Sequence, residues 1–212
     1  MRLYLSSFGI GNQPERLLPL VDAPRHVAII MNALDNKPVV RERFLASETE
    51  KLTKMGFAAE ELDLRAYFGK QQELSKLLAT KNFIWVNGGN TFVLRRAMKE
   101  SGFDVEIKLA LQKDTLAYGG FSAGVVVLSP DLHGLDITDN PHKIPDGYKP
   151  EVIWEGLGII DFSVAVHYQS DHDESALTDQ EIAYYEAHKT PYKTLRDGQV
   201  MIMNNGDFQT FD

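Results

Sequence analysis

The segment Gly120-Phe121-Ser122-Ala123-Gly124 has the residue types and spacing of a catalytic turn. It fits the pattern G-x-S-x-G, in which a serine lies on a sharp turn between a β-strand and an α-helix. Small neighbours allow the strained backbone of such a turn, and the free N–H groups of the helix can hold a developing negative charge. The segment predicts that Ser122 is a nucleophile. The alternative is a serine N-cap in a tight turn.

A second glycine-marked turn, Gly88-Gly89-Asn90-Thr91, follows the apolar run at 83–86. Glycine lets backbone N–H groups approach a ligand closely. This turn could therefore cradle a phosphate or donate a second hydrogen bond to an oxyanion. The alternative is a plain strand-to-helix connection with Asn90 or Thr91 as the N-cap.

Short apolar runs alternate with helical patterns along the chain, which predicts an α/β fold with a mostly parallel sheet and helices on both faces. Both glycine-marked turns then lie beyond the carboxyl ends of strands, where such folds bind ligands. We expect one domain over residues 1–212. The predicted strands are 2–6, 26–31, 59–64, 83–86, 115–121 and 158–168, and the predicted helices are 15–21, 38–55, 71–80, 92–100, 105–112, 123–128 and 178–188.

The last third of the chain adds three local predictions. Residues 192–196 and 200–204 are expected to form an antiparallel hairpin across Asp197-Gly198, a dipeptide typical of tight turns. Thr178 and Glu181 fit a capping box at the start of the last helix. The polar stretch 129–156 contains four prolines, and a loop of that length is uncommon unless it is functional.

Composition excludes several classes of function. The chain of 212 residues has no cysteine, which rules out disulfides, thiolate zinc sites and a cysteine nucleophile. The net charge of −8 disfavours nucleic acid as a partner. No apolar stretch approaches the ~20 residues that span a bilayer, and the N-terminal residues lack the pattern of a signal peptide. We expect a cytoplasmic monomer or homodimer with no membrane partner and no cofactor.

The two turns together resemble the peptidase E (aspartyl dipeptidase) family and its cyanophycinase-like serine peptidase relatives. The similarity continues through the segment from Leu157-Gly158 to His167-Tyr168 and through Leu195-Arg196-Asp197-Gly198, so it spans residues 83 to 204. The resemblance implies a three-layer αβα sandwich related to class I glutamine amidotransferases. It also implies a serine-type exopeptidase or dipeptidase that hydrolyses short peptides through an acyl-enzyme.

Carried over to this sequence, the family pattern makes Ser122 the nucleophile and His167 the general base. The triad acid would be Asp197, where the family has a glutamate. Its carboxylate would accept a hydrogen bond from the imidazole and fix its tautomer. The family also has a functional aspartate after the nucleophile helix, which Asp139 matches, with Asp136 as the alternative.

The resemblance assigns supporting roles as well. Gly89 and Ala123 would donate their backbone N–H groups to the oxyanion, while Asn90, Asp139 and His133 would contact substrate or support the site. His133 stands where the aspartyl dipeptidases carry an arginine. No arginine occurs between Arg96 and Arg196, so aspartyl specificity is in doubt.

The segment at 169–174 is acidic, and we expect it to favour neutral or basic side chains in the substrate residue before the cleaved bond, P1. Its adjacent Asp171-His172-Asp173 cannot all face one ion without a sharp turn, so we expect a solvated loop and no metal site. Two other functions compete with a peptidase. One is an esterase that uses the same serine, and the other is a non-catalytic, flavodoxin-like binder of a small ligand.

Overall fold

The computed structural model describes all residues from 1 to 212, and a seven-stranded sheet forms its centre. Five strands, in the order β3-β2-β4-β5-β1, run parallel, and β8 and β9 extend the sheet beyond β1 with antiparallel pairing. β6 and β7 pair with each other in a separate parallel sheet. The strands are β1 (Arg2–Ser6), β2 (His26–Ile30), β3 (Ala58–Glu61), β4 (Phe83–Val86), β5 (Ala117–Phe121), β6 (Ser163–Ala165), β7 (Tyr192–Thr194), β8 (Val200–Asn204) and β9 (Gln209–Phe211).

Six α-helices connect or flank these strands. They are α1 (Pro38–Lys54), α2 (Gln71–Leu78), α3 (Thr91–Ser101), α4 (Phe103–Gln112), α5 (Ala123–Val126) and α6 (Ser175–His188). Pro38 begins α1, where the missing N–H of proline costs nothing. The predicted helix at 15–21 is instead two 3₁₀ turns, Pro14–Arg16 and Leu18–Leu20. None of the helices is both long and apolar enough to cross a membrane.

The sheet has a buried hydrophobic cluster on each face, as a three-layer fold requires. In β1, Leu3 and Leu5 belong to one cluster and Tyr4 to the other, because successive side chains of a strand point to opposite faces. In β4, Ile84 and Trp85 are divided in the same way. The predicted α/β class with a mostly parallel sheet and a late antiparallel strand pair is confirmed.

The antiparallel pair is not the predicted one. β8 pairs with β1 on one side and β9 on the other, whereas β7 pairs in parallel with β6. The hairpin across Asp197-Gly198 is therefore wrong, and this dipeptide instead connects two different sheets. The predicted strand at 158–168 is also too long, because Gly158 and His167 adopt positive φ values of 58° and 59° that break an extended chain.

The capping box at Thr178 is wrong as well, because α6 begins three residues earlier, at Ser175. Thr178 is buried inside the helix, where its hydroxyl donates to the carbonyl of Val166 at 2.9 Å. This bond ties α6 to the segment that ends at His167.

The long loop at 129–156 is held by the buried side chain of Arg96, on α3. Its guanidinium donates to the carbonyls of Pro141 at 2.7 Å and Glu151 at 2.9 Å, with longer bonds to Lys143 and Pro150. A guanidinium carries five N–H donors in a fixed plane, so one side chain can satisfy several loop carbonyls. The loop is thereby fixed against α3.

Candidate active site

Ser122 lies between β5 and α5 with φ 49° and ψ −120°, a conformation that non-glycine residues rarely adopt. The turn passes so close to the end of β4 that only glycine fits beside it. A Cβ at Gly120 would lie 2.6 Å from the Val86 oxygen, and one at Gly124 would lie 2.3 Å from it. The hydroxyl of Ser122 makes no hydrogen bond within the protein, so it is free to meet a ligand.

The second glycine turn packs directly against the first. A Cβ at Gly88 would lie 2.9 Å from Cβ of Ser122, and Gly89 has φ 140° with the Ala33 carbonyl in the way of any side chain. The backbone N–H groups of Gly89 and Ala123 have no acceptor within the protein. These two predicted oxyanion donors are thus unpaired next to the serine.

Asn90 is the N-cap of α3, as its alternative interpretation proposed. Its Oδ1 accepts from the Val93 N–H at 2.9 Å, and its Nδ2 donates to the Asn140 carbonyl at 3.1 Å. The residue therefore both caps the helix and links it to the long loop.

His167 follows β6 and is almost fully buried, with 1% of its surface exposed. Its Nδ1 lies 2.7 Å from Oδ1 of Asp197. Because a carboxylate only accepts, the proton of this bond belongs to Nδ1, and Nε2 is left as the basic nitrogen. Burial is the main cause that lowers the pKa of His167, and the bond to Asp197 partly opposes it. The imidazole is therefore neutral at pH 7 and able to accept a proton.

Ser7, directly after β1, makes hydrogen bonds to Ser122, His167 and Asp197. Its carbonyl accepts from the Ser122 N–H at 3.1 Å. Its hydroxyl accepts from the His167 backbone N–H at 2.8 Å and donates to Asp197 Oδ1 at 2.7 Å. Ser7 is not recognisable from the sequence, since a serine at the end of a strand carries no signal of its own.

The other two candidate acids do not contact His167. Asp139 accepts from the Thr91 N–H at 2.7 Å, at the start of α3, and burial raises its pKa to about 6. Asp136 is exposed and accepts from the Gly134 N–H at 3.2 Å. Of the three aspartates considered, Asp197 is the one that the structure places on the imidazole.

A buried glutamate, Glu181, for which the sequence pattern indicates only a capping role, lines a cavity together with the serine. Glu181, on α6, is 3% exposed and accepts a hydrogen bond from the Thr138 hydroxyl. Burial raises its pKa to about 8, and the charges of Asp139 and Glu174 add to the effect. Its carboxyl group is therefore protonated at pH 7. Ser122, His167, Asp139 and Glu181 all line a cavity of about 20 Å³, roughly the room for one water molecule.

A larger cavity of about 390 Å³ opens above Ser122 and His167. Its charged lining consists of two lysines, Lys37 and Lys143, and two acids, Asp139 and Glu174. No arginine lines it. The other lining residues are Phe8, Leu34, Asn36, Val40, Phe44, Asn87, Gly88, Gly89, Asn90, Phe121, Thr138, Asn140 and His172.

His133 lies outside both cavities, so the structure gives no support to a contact between His133 and substrate. Its ring stacks on Trp154, with ring centroids 4.5 Å apart, and its Nδ1 lies 2.7 Å from Asp131. These partners hold the side chain next to the point where Asp131 pairs with Glu155 across the long loop. Arg95 and Arg96, the last arginines before the long loop, do not line the larger cavity. Arg95 forms a salt bridge with Asp104, and Arg96 donates to carbonyls of the loop.

Three side chains that line the larger cavity could bind a metal ion. One nitrogen each of His167 and His172 and one oxygen of Glu174 lie within 4.8 Å of one another. Asp171 and Asp173 are exposed and are not part of this group.

Comparison with known proteins agrees with this architecture. An uncharacterized peptidase of Listeria monocytogenes is 30% identical over 129 residues, which cover 60% of this chain and 58% of that protein. A "Probable alpha-aspartyl dipeptidase" of Drosophila melanogaster is 27% identical over 162 residues, 74% of this chain and 62% of that protein. The matched region is thus less than two thirds of the length of these curated relatives.

Solved structures match over almost the whole chain. A Listeria monocytogenes protein assigned as peptidase E superposes with a TM-score of 0.80 at 22% identity, covering 99% of this chain and 97% of that one. A peptidase from an acI-B1 Actinobacterium gives a TM-score of 0.74 at 16% identity, covering 99% and 86%. The model of Peptidase family S51 matches residues 30–211. The chain therefore belongs to Peptidase family S51.

Proposed function

We propose that this protein is a serine peptidase that hydrolyses short peptides through an acyl-enzyme on Ser122. The observation that carries the proposal is the strained backbone of Ser122, in one cavity with an imidazole whose Nδ1 is bonded to Asp197. A strained strand-to-helix turn of this kind exposes a nucleophile beyond the carboxyl end of a strand. The Ser–His–Asp set then has each group in the role that its chemistry allows.

In the proposed reaction, the Ser122 oxygen attacks the peptide carbonyl carbon while its proton moves to Nε2 of His167. The N–H groups of Gly89 and Ala123 donate to the resulting oxyanion. His167 then gives the proton to the leaving amine as the C–N bond breaks, which leaves an ester on Ser122. A water molecule attacks this ester, His167 takes the water's proton, and that proton returns to the serine oxygen as the acid product leaves.

The cavity favours a small substrate. Its volume of about 390 Å³ is near the lower end of the range for ligand pockets, which suits a peptide of a few residues. Within it the Asp139 and Glu174 carboxyls have no arginine partner. An aspartate side chain entering this cavity would add a further negative charge without a bidentate guanidinium to receive it. Neutral or basic P1 residues are therefore the proposed preference.

A fluorophosphonate probe, which labels activated serines, tests the nucleophile directly. We expect labelling of the wild type and of the Ser75→Ala control, which removes a serine that lines neither cavity, and none of Ser122→Ala. With a dipeptide library, Ser122→Ala should lose several orders of magnitude in rate while its thermal unfolding is unchanged. Cleavage by this variant at the wild-type rate would reject the mechanism.

The same experiment separates the competing functions. Labelling of Ser122 combined with hydrolysis of esters, but of no peptide, would indicate an esterase. Absence of labelling, together with tight binding of a small anion or a flavin, would indicate a non-catalytic binder.

The P1 preference is tested with Asn-Leu and Asp-Leu, two dipeptides that differ in charge but hardly in shape. We expect kcat/KM for Asn-Leu to be higher by roughly a thousandfold, because several kcal/mol are needed to bury an unpaired carboxylate. The name of the Drosophila relative points to the opposite result, so the comparison is decisive. If Asp-Leu is faster by about tenfold or more, a cation such as Lys37, Lys143 or Arg196 must receive the side chain.

A further inference from the structure

His172 and Glu174 lie over the imidazole that the proposed reaction uses as its base. The rings of His167 and His172 are stacked, with centroids 3.7 Å apart and planes 5° apart. Oε2 of Glu174 lies 3.9 Å from Nε2 of His167. His172 and Glu174 are partly buried on one side of the chain, whereas Asp171 and Asp173, which alternate with them, are exposed.

We infer that His167, His172 and Glu174 form an inhibitory binding site for a zinc ion. The inference rests on the proposed function, since the ion would occupy the Nε2 lone pair that accepts the proton of Ser122. Two imidazoles and one carboxylate are a donor set that Zn²⁺ takes with a fourth position left for water or substrate.

His167 already has the surroundings of a zinc ligand. A metal-bound histidine usually donates its other ring N–H to a carboxylate, which fixes the ring and raises its basicity. The bond of 2.7 Å between Nδ1 and Asp197 is such an arrangement. The ring is 1% exposed and held from behind, so binding the ion requires no rearrangement of this ligand.

The other two ligands need a small movement. In a tetrahedral zinc site, ligand atoms are about 3.4 Å apart, so Glu174 must approach His167 Nε2 by about 0.5 Å. The nitrogen lone pairs of two parallel stacked rings point in parallel planes and do not converge on one ion. The His172 ring must therefore turn, which breaks the 3.2 Å hydrogen bond that its Nδ1 accepts from the Glu174 N–H. Both side chains are partly exposed, and Glu174 is 43% exposed, which leaves room for this turn.

Zinc binding is measured first on the inactive Ser122→Ala protein, so that the result does not depend on catalysis. Isothermal titration with ZnCl₂ should show one site, which the added change His172→Phe removes because phenylalanine keeps the stacked ring without a nitrogen. The added change His188→Ala, at an exposed histidine of α6, should leave the site intact. Absence of binding, binding that survives His172→Phe, or equal loss in the His188→Ala control would overturn the inference.

Inhibition is then measured on the active protein. Zn²⁺ should inhibit dipeptide hydrolysis, a chelator should restore the rate, and Mg²⁺ should have no effect. The inhibition of each protein is expressed relative to its own metal-free rate. His172→Phe should then have an inhibition constant for Zn²⁺ that is higher than the wild-type value by about tenfold or more. If Ser122→Ala binds zinc through His172 but zinc leaves hydrolysis unchanged, the site stands and its inhibitory role is refuted. If no hydrolysis is found at all, the proposed function fails while the titration still decides the site.

Discussion

Asp197 and Glu181 are carboxylic acids near the same serine, yet their surroundings differ. Asp197 is half-buried, and the imidazole of His167 and the hydroxyl of Ser7 both bond to its Oδ1 at 2.7 Å. Glu181 is buried more deeply, has one hydroxyl as a donor, and has two acidic neighbours that raise its pKa further. Two donors face the Asp197 carboxyl, whereas burial, supported by the charges of two acidic neighbours, raises the pKa of Glu181 and keeps a proton on its carboxyl. Burial alone therefore does not tell which acid serves the imidazole.

Replacing Asp197 by asparagine should give the largest effect. An amide donor facing Nδ1 would favour the tautomer with the proton on Nε2, which cannot accept the serine proton. We expect kcat to fall by about 10⁴-fold with little change in KM, as in the serine protease triad. Steady-state kinetics on the best dipeptide would measure this, with Asp207→Asn, at an exposed position, as the control. A kcat close to that of the wild type would mean that another acid orients His167.

Replacing Glu181 by glutamine should change stability more than activity. The pKa of Glu181 is raised in the folded protein, so between pH 5 and 8 the folded state binds more protons than the unfolded state and stability falls as pH rises. For a folded pKa of about 8, this loss amounts to about 3 kcal/mol. In Glu181→Gln that part of the loss disappears, while the smaller loss from Asp139 remains.

Urea unfolding at pH 5 and pH 8 would measure the difference. The control is Asp179→Asn, an exposed position on the same helix, which should keep the wild-type dependence on pH. If Glu181→Gln loses as much stability as the wild type on going to pH 8, Glu181 is charged in the folded protein and its contrast with Asp197 disappears.

Replacing Ser7 by alanine should give the smallest of these effects. The change removes one donor from the Asp197 carboxylate and the acceptor of the His167 N–H, and a hydrogen bond to a charged group contributes about 1.5–3 kcal/mol. We expect kcat to fall by about tenfold or more with KM unchanged. The matched control is Ser6→Ala, since the Ser6 hydroxyl donates only to the Phe8 carbonyl. Equal losses in both variants would indicate a general effect of altering β1.

Sequence patterns predicted the central sheet well, since β1, β2, β4 and β5 are short apolar runs bounded by turns or polar residues. They failed in the last third of the chain. The alternation of Ile160, Phe162, Val164 and Val166 indicated a long strand, but these side chains are buried mainly by packing, and only three residues pair as β6. Asp197-Gly198 is a common hairpin turn, and nothing local shows that it connects two sheets.

The residues of the site also divide into those with a local sequence signal and those without one. Ser122 and the two glycine turns carry local signals, because the strained backbone and the close approach of β4 restrict the residue types. His167 was distinguished from five other histidines only by the family resemblance. Ser7 and Glu181 act through distant contacts, 190 positions apart for Ser7 and Asp197 and 43 for Glu181 and Thr138, and a single sequence does not show such contacts.

The place of Ser7 has a consequence for the order of events during synthesis. Ser7 precedes Ser122 and Asp197 in the sequence, so Ser7 is synthesised first, Ser122 midway and Asp197 near the end. The strand partners of β1 are β5 and β8, and His167 has no acid behind it until the segment before β8 has been made. On the proposed mechanism, the site becomes competent only after Asp197 has been synthesised and its carboxylate has reached His167.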